Sequence, residues 1–232
     1  MATKIQKPVS TEFYLAAEEA FGITIPKPPS LTEEQEQYAQ DKNLRLVYRT
    51  ALSMRDLRKN WKGPGKLLFS EENSAWYTDD PFYSEPMAEG WFLISPDILP
   101  GSTFKAFAKQ DMLLGIPDWR PTATEVIYDL ALTKVLGVPC SLTDSLMYSW
   151  TRTRSSDGYL VVVGGFDAGG AYVSRFEPDD SGSCLGVSFS RSLKLWDLES
   201  DSLKTKDSPL ENTAAFTPDE VRKLKELAKL IK

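Results

Sequence analysis

The stretch GYLVVVGGFDAGGAYVSRF, residues 158–176, decides the fold class because it joins a continuous apolar run, two glycine pairs and an alternating segment. A valine run that leads into glycine is typical of some phosphate-binding loops. A dinucleotide fingerprint, however, needs glycine at positions i, i+2 and i+5 between a strand and a helix. No three of these glycines have that spacing, and the residues that follow alternate as in a strand. The stretch therefore predicts a hairpin whose turn lies at residues 167–170.

Alternation with a period of two continues on both sides of this hairpin. LMYSWTRTR (146–154) precedes it, AYVSRF (171–176) is its second half, and CLGVSFSR (184–191) follows after a polar turn. Together with the run YLVVVGGF (159–166), these segments predict a four-stranded antiparallel meander.

The run 159–166 should be the central strand of the meander, because it is apolar on both faces. By alternation, one face carries Leu160, Val162 and Phe166, and the other carries Tyr159, Val161 and Val163. The glycine pair within the run indicates close packing by a neighbour or a β-bulge.

Two helices should pack on this sheet. RPTATEVIYDLALTKVLGVP (120–139) predicts the central one, since Thr122 and Glu125 have capping-box spacing and Gly137 supplies a left-handed terminus. TPDEVRKLKELAKLIK (217–232) predicts a C-terminal helix. The expected fold class is therefore α+β, an antiparallel four-stranded meander packed by a central helix and a C-terminal helix.

A helical N-terminal region is expected before this α+β domain. STEFYLAAEEAFG (10–22) has Ser10 as N-cap and glycine as a stop, and TEEQEQYAQDKN (32–43) begins with another capping box. The predicted division is a helical region at 1–60 and an α+β domain at 61–232. One continuous domain is the alternative.

The absence of histidine among the 232 residues removes whole classes of enzyme. Histidine is the usual general base beside a serine or cysteine nucleophile and the commonest metal ligand. Ser-His-Asp hydrolases, Cys-His proteases and zincins are therefore excluded for a site that this chain forms alone. Cys140 and Cys184 are too few for a disulfide framework or a zinc site, so we predict no metal and no cofactor.

The charge distribution argues against nucleic acid and membrane as partners. The net charge is −6, and residues 67–104 contain seven acids and no base. Binding to nucleic acid needs clustered basic residues, whereas the 27 Lys and Arg are scattered. No apolar run is long enough to cross a membrane, and the N-terminus lacks the apolar segment of a signal peptide. We therefore expect a cytoplasmic protein.

Residues 61–92 form an aromatic and acidic region without regular periodicity. Long irregular segments are often functional, so Trp76, Tyr77, Phe82 and Tyr83 are candidate binding residues for a protein partner. The alternative is that these aromatic side chains only pack the segment onto the core.

The motif PGSTFK (100–105) follows a short strand expected at 91–95, and Ser102 or Thr103 would cap a helix there. On a helix, Ser102 and Lys105 would lie one turn apart, where a neutral lysine activates the serine without histidine. The motif resembles the active-site Ser-x-x-Lys of penicillin-binding proteins and serine β-lactamases. That resemblance implies acyl transfer, but this chain lacks the Ser-x-Asn and Lys-Thr-Gly motifs of that family.

A broader resemblance covers residues 91–191. PTATEVIYDLAL, VVVGGFDAGGAYV and LGVSFSR, in this order, resemble a family of uncharacterised proteins from candidate-phyla bacteria, in which a helix precedes a strand meander. The resemblance implies a fold but no activity, cofactor or site residue.

Three functions are compatible with the sequence. The first is a non-enzymatic binding or assembly module that uses the aromatic region. The second is a Ser-Lys acyl-transfer enzyme at Ser102 and Lys105. The third is a small-molecule sensor with a pocket between the central helix and the meander.

Overall fold

The computed structural model describes residues 12–69, 75–95, 97–114, 118–143, 147–194 and 196, all in the first of the two units into which the chain divides, Met1–Trp196. This described part contains five α-helices and seven strands. In chain order they are α1 (Glu12–Phe21), α2 (Glu33–Asp41), β1 (Arg45–Arg49), α3 (Met54–Asn60), β2 (Gly90–Ile94), α4 (Phe107–Asp111), α5 (Ala123–Val135), β3 (Tyr148–Arg154), β4 (Leu160–Asp167), β5 (Gly170–Phe176), β6 (Leu185–Gly186) and β7 (Ser190–Ser192).

Three strands form the first sheet in the order β1–β2–β7, and all neighbours are antiparallel. The sequence predicted β2 close to its observed place, but it predicted neither β1 nor α3. Leu46 of β1 pairs with Leu93 of β2. This sheet therefore combines β1, from the predicted N-terminal region 1–60, with β2 and β7, from the predicted domain 61–232.

Four strands form the second sheet in the order β5–β4–β3–β6. As predicted for the first three strands of the meander, β3 and β5 both pair antiparallel with β4. The predicted fourth strand is wrong. Residues 184–191 divide into β6, which pairs in parallel with β3, and β7, which joins the first sheet. The second sheet is therefore mixed and is not a purely antiparallel meander.

Hydrogen bonds to side chains and to a loop, in place of ladder bonds, divert the chain between β6 and β7. The Val187 amide donates to Ser102 Oγ at 3.1 Å, and the Val187 carbonyl accepts from the Leu99 amide at 2.8 Å. The Ser188 amide donates to Ser149 Oγ at 3.0 Å. These bonds hold residues 187–188 against a loop and a side chain, so the chain leaves the second sheet after two paired residues.

The strand β4 is covered on both faces, as predicted for a central strand. Alternate residues pack in the main core with α5 and in a second cluster around Trp150. Phe166 lies in the main core with Val161 and Val163, opposite to the prediction. The reason is a β-bulge, because the register between β4 and β5 shifts after Gly164.

The helix α5 is the central helix that the sequence predicted. Thr122 and Glu125 form its capping box, and Gly137 has a φ of +61° just after its end. Ten of its 13 residues are buried, so neighbouring elements cover it on nearly every side. The capping box at Thr32 of α2 is also confirmed.

The helix expected from Ser102 does not exist, because α4 begins only at Phe107. Phe104 has a φ of +57°, and this left-handed conformation interrupts any right-handed helix through the motif. The predicted N-cap Ser10 and the predicted C-terminal helix at 217–232 lie outside the described residues.

Gly164 lies so close to β3 that a side chain has no space. A Cβ at this position would lie 2.0 Å from the Met147 carbonyl oxygen, so the backbone of residues 147–148 occupies the space next to Gly164. We expect Gly164→Ala to lower the free energy of unfolding by about 2–3 kcal/mol through overpacking, measured by urea denaturation. Gly182→Ala is the matched control, because its nearest contact would be 3.9 Å away. Equal losses in the two variants would contradict this account.

Candidate ligand-binding cleft

Ser102 and Lys105 do not share a helix. Both precede α4, in a segment of turns. Ser102 is fully buried, and its Oγ accepts the hydrogen bond from the Val187 amide. Lys105 is partly exposed. The helical spacing on which the acyl-transfer hypothesis depends is absent from this segment, and the observed bond gives Ser102 a structural role.

Three of the four candidate aromatic residues belong to the core, since Tyr77, Phe82 and Tyr83 are buried. Trp76 is 36% exposed, its indole N–H donates to the Val173 carbonyl at 3.3 Å, and the Arg175 guanidinium lies 4.6 Å from its ring centre. The segment is therefore packed onto the core, as the alternative interpretation expected. Phe82 also borders a cavity.

That cavity is a cleft of about 260 Å³, where the aromatic segment meets α5 and β3. It lies between the central helix and the strands, where the small-molecule hypothesis expected a pocket. Three walls surround it: the segment from the 3-10 helix Pro81–Ser84 onward, the first turn of α5, and β3. The lining residues, wall by wall, are Phe82, Glu85, Pro86, Met87 and Ala88, then Thr122 and Thr124, then Arg152 and Thr153.

Two hydrogen bonds join these walls. Asp80 Oδ2 accepts from the Ser156 amide at 2.8 Å, which ties the first wall to the turn between β3 and β4. The Ala123 amide donates to Thr153 Oγ1 at 2.9 Å, which ties α5 to β3. These bonds order the walls in the folded chain.

Two polar side chains in the cleft make no hydrogen bond within the described part of the chain. Arg152 is 43% exposed, and its Nη2 lies 3.6 Å from Glu125 Oε1, beyond hydrogen-bond distance. Thr124 is only 4% exposed, yet its hydroxyl has no protein partner there. Glu85, which is exposed, adds a carboxylate to the first wall. Unused donors beside a cavity are groups that a ligand can satisfy.

A buried charge cluster lies behind Arg152. Arg49 of β1 is fully buried, with its guanidinium 2.6 Å from Asp129 Oδ2 and 3.4 Å from Glu125 Oε1. Oε2 of Glu125 accepts from the Thr122 amide at 2.7 Å. A single carboxylate therefore caps α5, pairs with Arg49 and faces Arg152.

Burial controls the ionisation of this cluster. Burial raises the pKa of Asp129 to about 6, and Arg49 offsets only part of that effect. Burial alone would lower the pKa of Arg49, but Asp129 and Glu125 raise it above its ordinary value. Arg49 and Asp129 therefore form an ion pair at neutral pH, and the carboxyl group takes up a proton near pH 6.

A larger cavity of about 450 Å³ lies between the end of α2 and the loop after β2. On the β2 side its polar groups are already bonded. Asp97 Oδ1 accepts from the Ser141 amide at 2.8 Å, and Ser95 Oγ donates to the Asp97 carbonyl at 2.7 Å. The smaller cleft, with its unused donors, is the better candidate site.

Comparisons with known proteins found no matching family model, no matching curated protein and no matching solved structure. The resemblance to a family of candidate-phyla bacteria therefore stays a prediction. Within the described residues, every helix is too short or too polar to cross a membrane. The same residues include no group of three acidic or cysteine side chains arranged to hold a metal ion.

The sequence identified Phe82 among the cleft residues but missed Arg152, Thr124 and Glu85 as candidates. The capping box did locate the first turn of α5, which contains Thr124. Arg152 is one of several alternating polar residues on β3. Nothing in the sequence indicates that it lies beside the first turn of α5.

Removal of Arg49 should be severely destabilising, because it leaves two carboxylates without their buried partner. We expect Arg49→Met to lower the free energy of unfolding by about 3–5 kcal/mol in urea denaturation. Arg55→Met is the matched control, since Arg55 is exposed on α3, and its loss should stay below about 1 kcal/mol. Similar losses in both variants would show that Arg49 is not the central charge.

The raised pKa of Asp129 predicts a pH dependence with a definite sign. At a pH between 3.8, the ordinary pKa of aspartate, and about 6, Asp129 of the folded protein holds a proton that the same residue of the unfolded chain has released. This residue therefore lowers the free energy of unfolding as the pH rises through that window, by at most about 1.4 kcal/mol per pH unit. Urea denaturation from pH 4.5 to 7 should give the wild type this extra downward slope relative to Asp129→Asn. Identical slopes would contradict the assignment.

Proposed function

We propose that this protein is a non-enzymatic binding protein that takes a small ligand into the cleft between the aromatic segment, α5 and β3. The observation that carries the proposal is the pair of unused polar side chains, Arg152 and Thr124, beside a preformed cleft. Phe82 and Met87 give the same cleft an apolar wall. Apolar walls with a few convergent polar groups are the usual composition of small-molecule sites.

The chemistry of the lining side chains favours binding over catalysis. Arginine stays protonated, and the threonine hydroxyls have no base beside them among the described lining residues, which include no lysine, cysteine or tyrosine. Glu85 is the one carboxylate among the described lining residues, and it is exposed to solvent. The groups present can orient a ligand, but they form no nucleophile with its activating base.

The hypothesis of a protein-contact surface at Trp76, Tyr77, Phe82 and Tyr83 has less support. Three of these side chains are buried and contribute to the core instead of a surface. A partner that binds at Trp76 stays a prediction.

The cleft proposal can be tested by blocking the cleft. Ala88 is exposed on its first wall, so Ala88→Trp places an indole there without removing an existing contact. A fragment library screened by thermal shift on the full chain should contain compounds that raise the melting temperature of the wild type. These shifts should disappear in Ala88→Trp.

Ala168→Trp is the matched control, because Ala168 is exposed in the turn between β4 and β5 and does not line the cleft. It should keep the shifts of the wild type. A library without a single stabilising fragment, or shifts that persist in Ala88→Trp, would overturn the proposal.

A further inference from the structure

We infer that the ligand of this cleft is a small molecule with a single carboxylate, held by the Arg152 guanidinium and the Thr124 hydroxyl. The inference rests on the proposed function and names the class of ligand.

The Arg152 guanidinium has the geometry and the free donors that a carboxylate needs. Its nearest charged partner is Glu125 Oε1 at 3.6 Å, and that carboxylate already has Arg49 at 3.4 Å. The guanidinium carbon also lies 5.7 Å from the centre of the Trp119 ring. A guanidinium with unused N–H groups binds a carboxylate through two parallel hydrogen bonds.

Thr124 provides a second, independent indication of an anion. The residue as a whole is 4% exposed and lines the cleft, and its hydroxyl makes no hydrogen bond in the described part of the chain. Its backbone amide is also unused there, whereas three neighbouring amides are occupied by side-chain oxygens: those of Thr122, Ala123 and Glu125. A free hydroxyl and a free amide in the first turn of a 13-residue helix are donors for a negatively charged group.

The charges around the cleft favour one negative charge on the ligand and disfavour two. Arg152 is the cation that lines it, Glu85 is an anion on its first wall, and the Glu125 carboxylate lies close behind. A dianion such as a phosphate monoester would bring a second charge, for which the described lining residues offer no second cation. The volume of about 260 Å³ is below the usual range of roughly 300–1,000 Å³ for ligand pockets, so the rest of the ligand is small.

Matched probes separate charge from shape. Benzoate, 3-phenylpropionate and butyrate, their primary amides, and phenyl phosphate would be titrated into the full ¹⁵N-labelled chain at pH 7.5. We expect at least one carboxylate to bind about tenfold or more tightly than its amide, with a saturable shift of the Thr124 amide signal. Phenyl phosphate should bind more weakly than benzoate.

Variants of Arg152 and Thr124 test whether these two residues cause the preference for a carboxylate over its amide. Arg152→Gln should weaken carboxylate binding about tenfold or more without changing amide binding, and Thr124→Val should weaken it by a smaller factor. Arg154→Gln is the matched control, because Arg154 is the next exposed arginine on β3 and does not line the cleft. It should bind like the wild type.

Three results would overturn the inference: no carboxylate that binds more tightly than its amide, phenyl phosphate as the tightest probe, or unchanged affinity in Arg152→Gln. If the fragments whose thermal shifts disappear in Ala88→Trp are neutral or cationic, the inferred ligand class is wrong, while the cleft remains a binding site. If the screen yields no such fragment, the proposed function itself fails.

Discussion

The buried guanidinium of Arg49 is the constraint on which the rest of this structure depends. A guanidinium is always charged, so its burial is tolerated only where carboxylates accompany it. Glu125 and Asp129, one turn apart on α5, supply them, and the Phe92 ring lies 4.7 Å from the guanidinium carbon. This pairing fixes how α5 is rotated against the first sheet, since only one face of the helix presents both carboxylates to β1.

The same pairing determines the electrostatics of the cleft. Arg49 pairs with Glu125 as well as with Asp129, and Arg152 Nη2 stays 3.6 Å from Glu125 Oε1, beyond hydrogen-bond distance, so the Arg152 side chain keeps its hydrogen-bond donors. Thr124 immediately precedes Glu125, so the rotation that turns Glu125 toward Arg49 also determines which side of the first turn Thr124 occupies. The two unused groups of the cleft are therefore consequences of the buried ion pair and not separate features of the surface.

Local signals predicted those parts of the fold that local interactions determine. The capping box at Thr122 located the start of α5 to the residue, and alternation together with one continuous apolar run located the three antiparallel strands. The division of residues 184–191 could not be predicted, because the amides of Val187 and Ser188 donate to the hydroxyls of Ser102 and Ser149, which are distant in the chain, and β6 ends there. The cleft was predictable only in part for the same reason: aromatic content indicated its first wall, whereas Arg152 and Thr124 are brought together by the tertiary fold.

The way in which the walls are fixed bears on how the proposed site would bind a ligand. The bonds from the Ser156 amide to Asp80 and from the Ala123 amide to Thr153 join the walls, so folding has already ordered them. A ligand that enters a preformed site loses its own freedom but orders little of the protein. The long Arg152 side chain, 43% exposed, is the main exception, because a ligand would have to order it. In the proposed site, discrimination between a carboxylate and an amide would depend on this guanidinium, which lies 3.6 Å from Glu125 of the buried charge cluster.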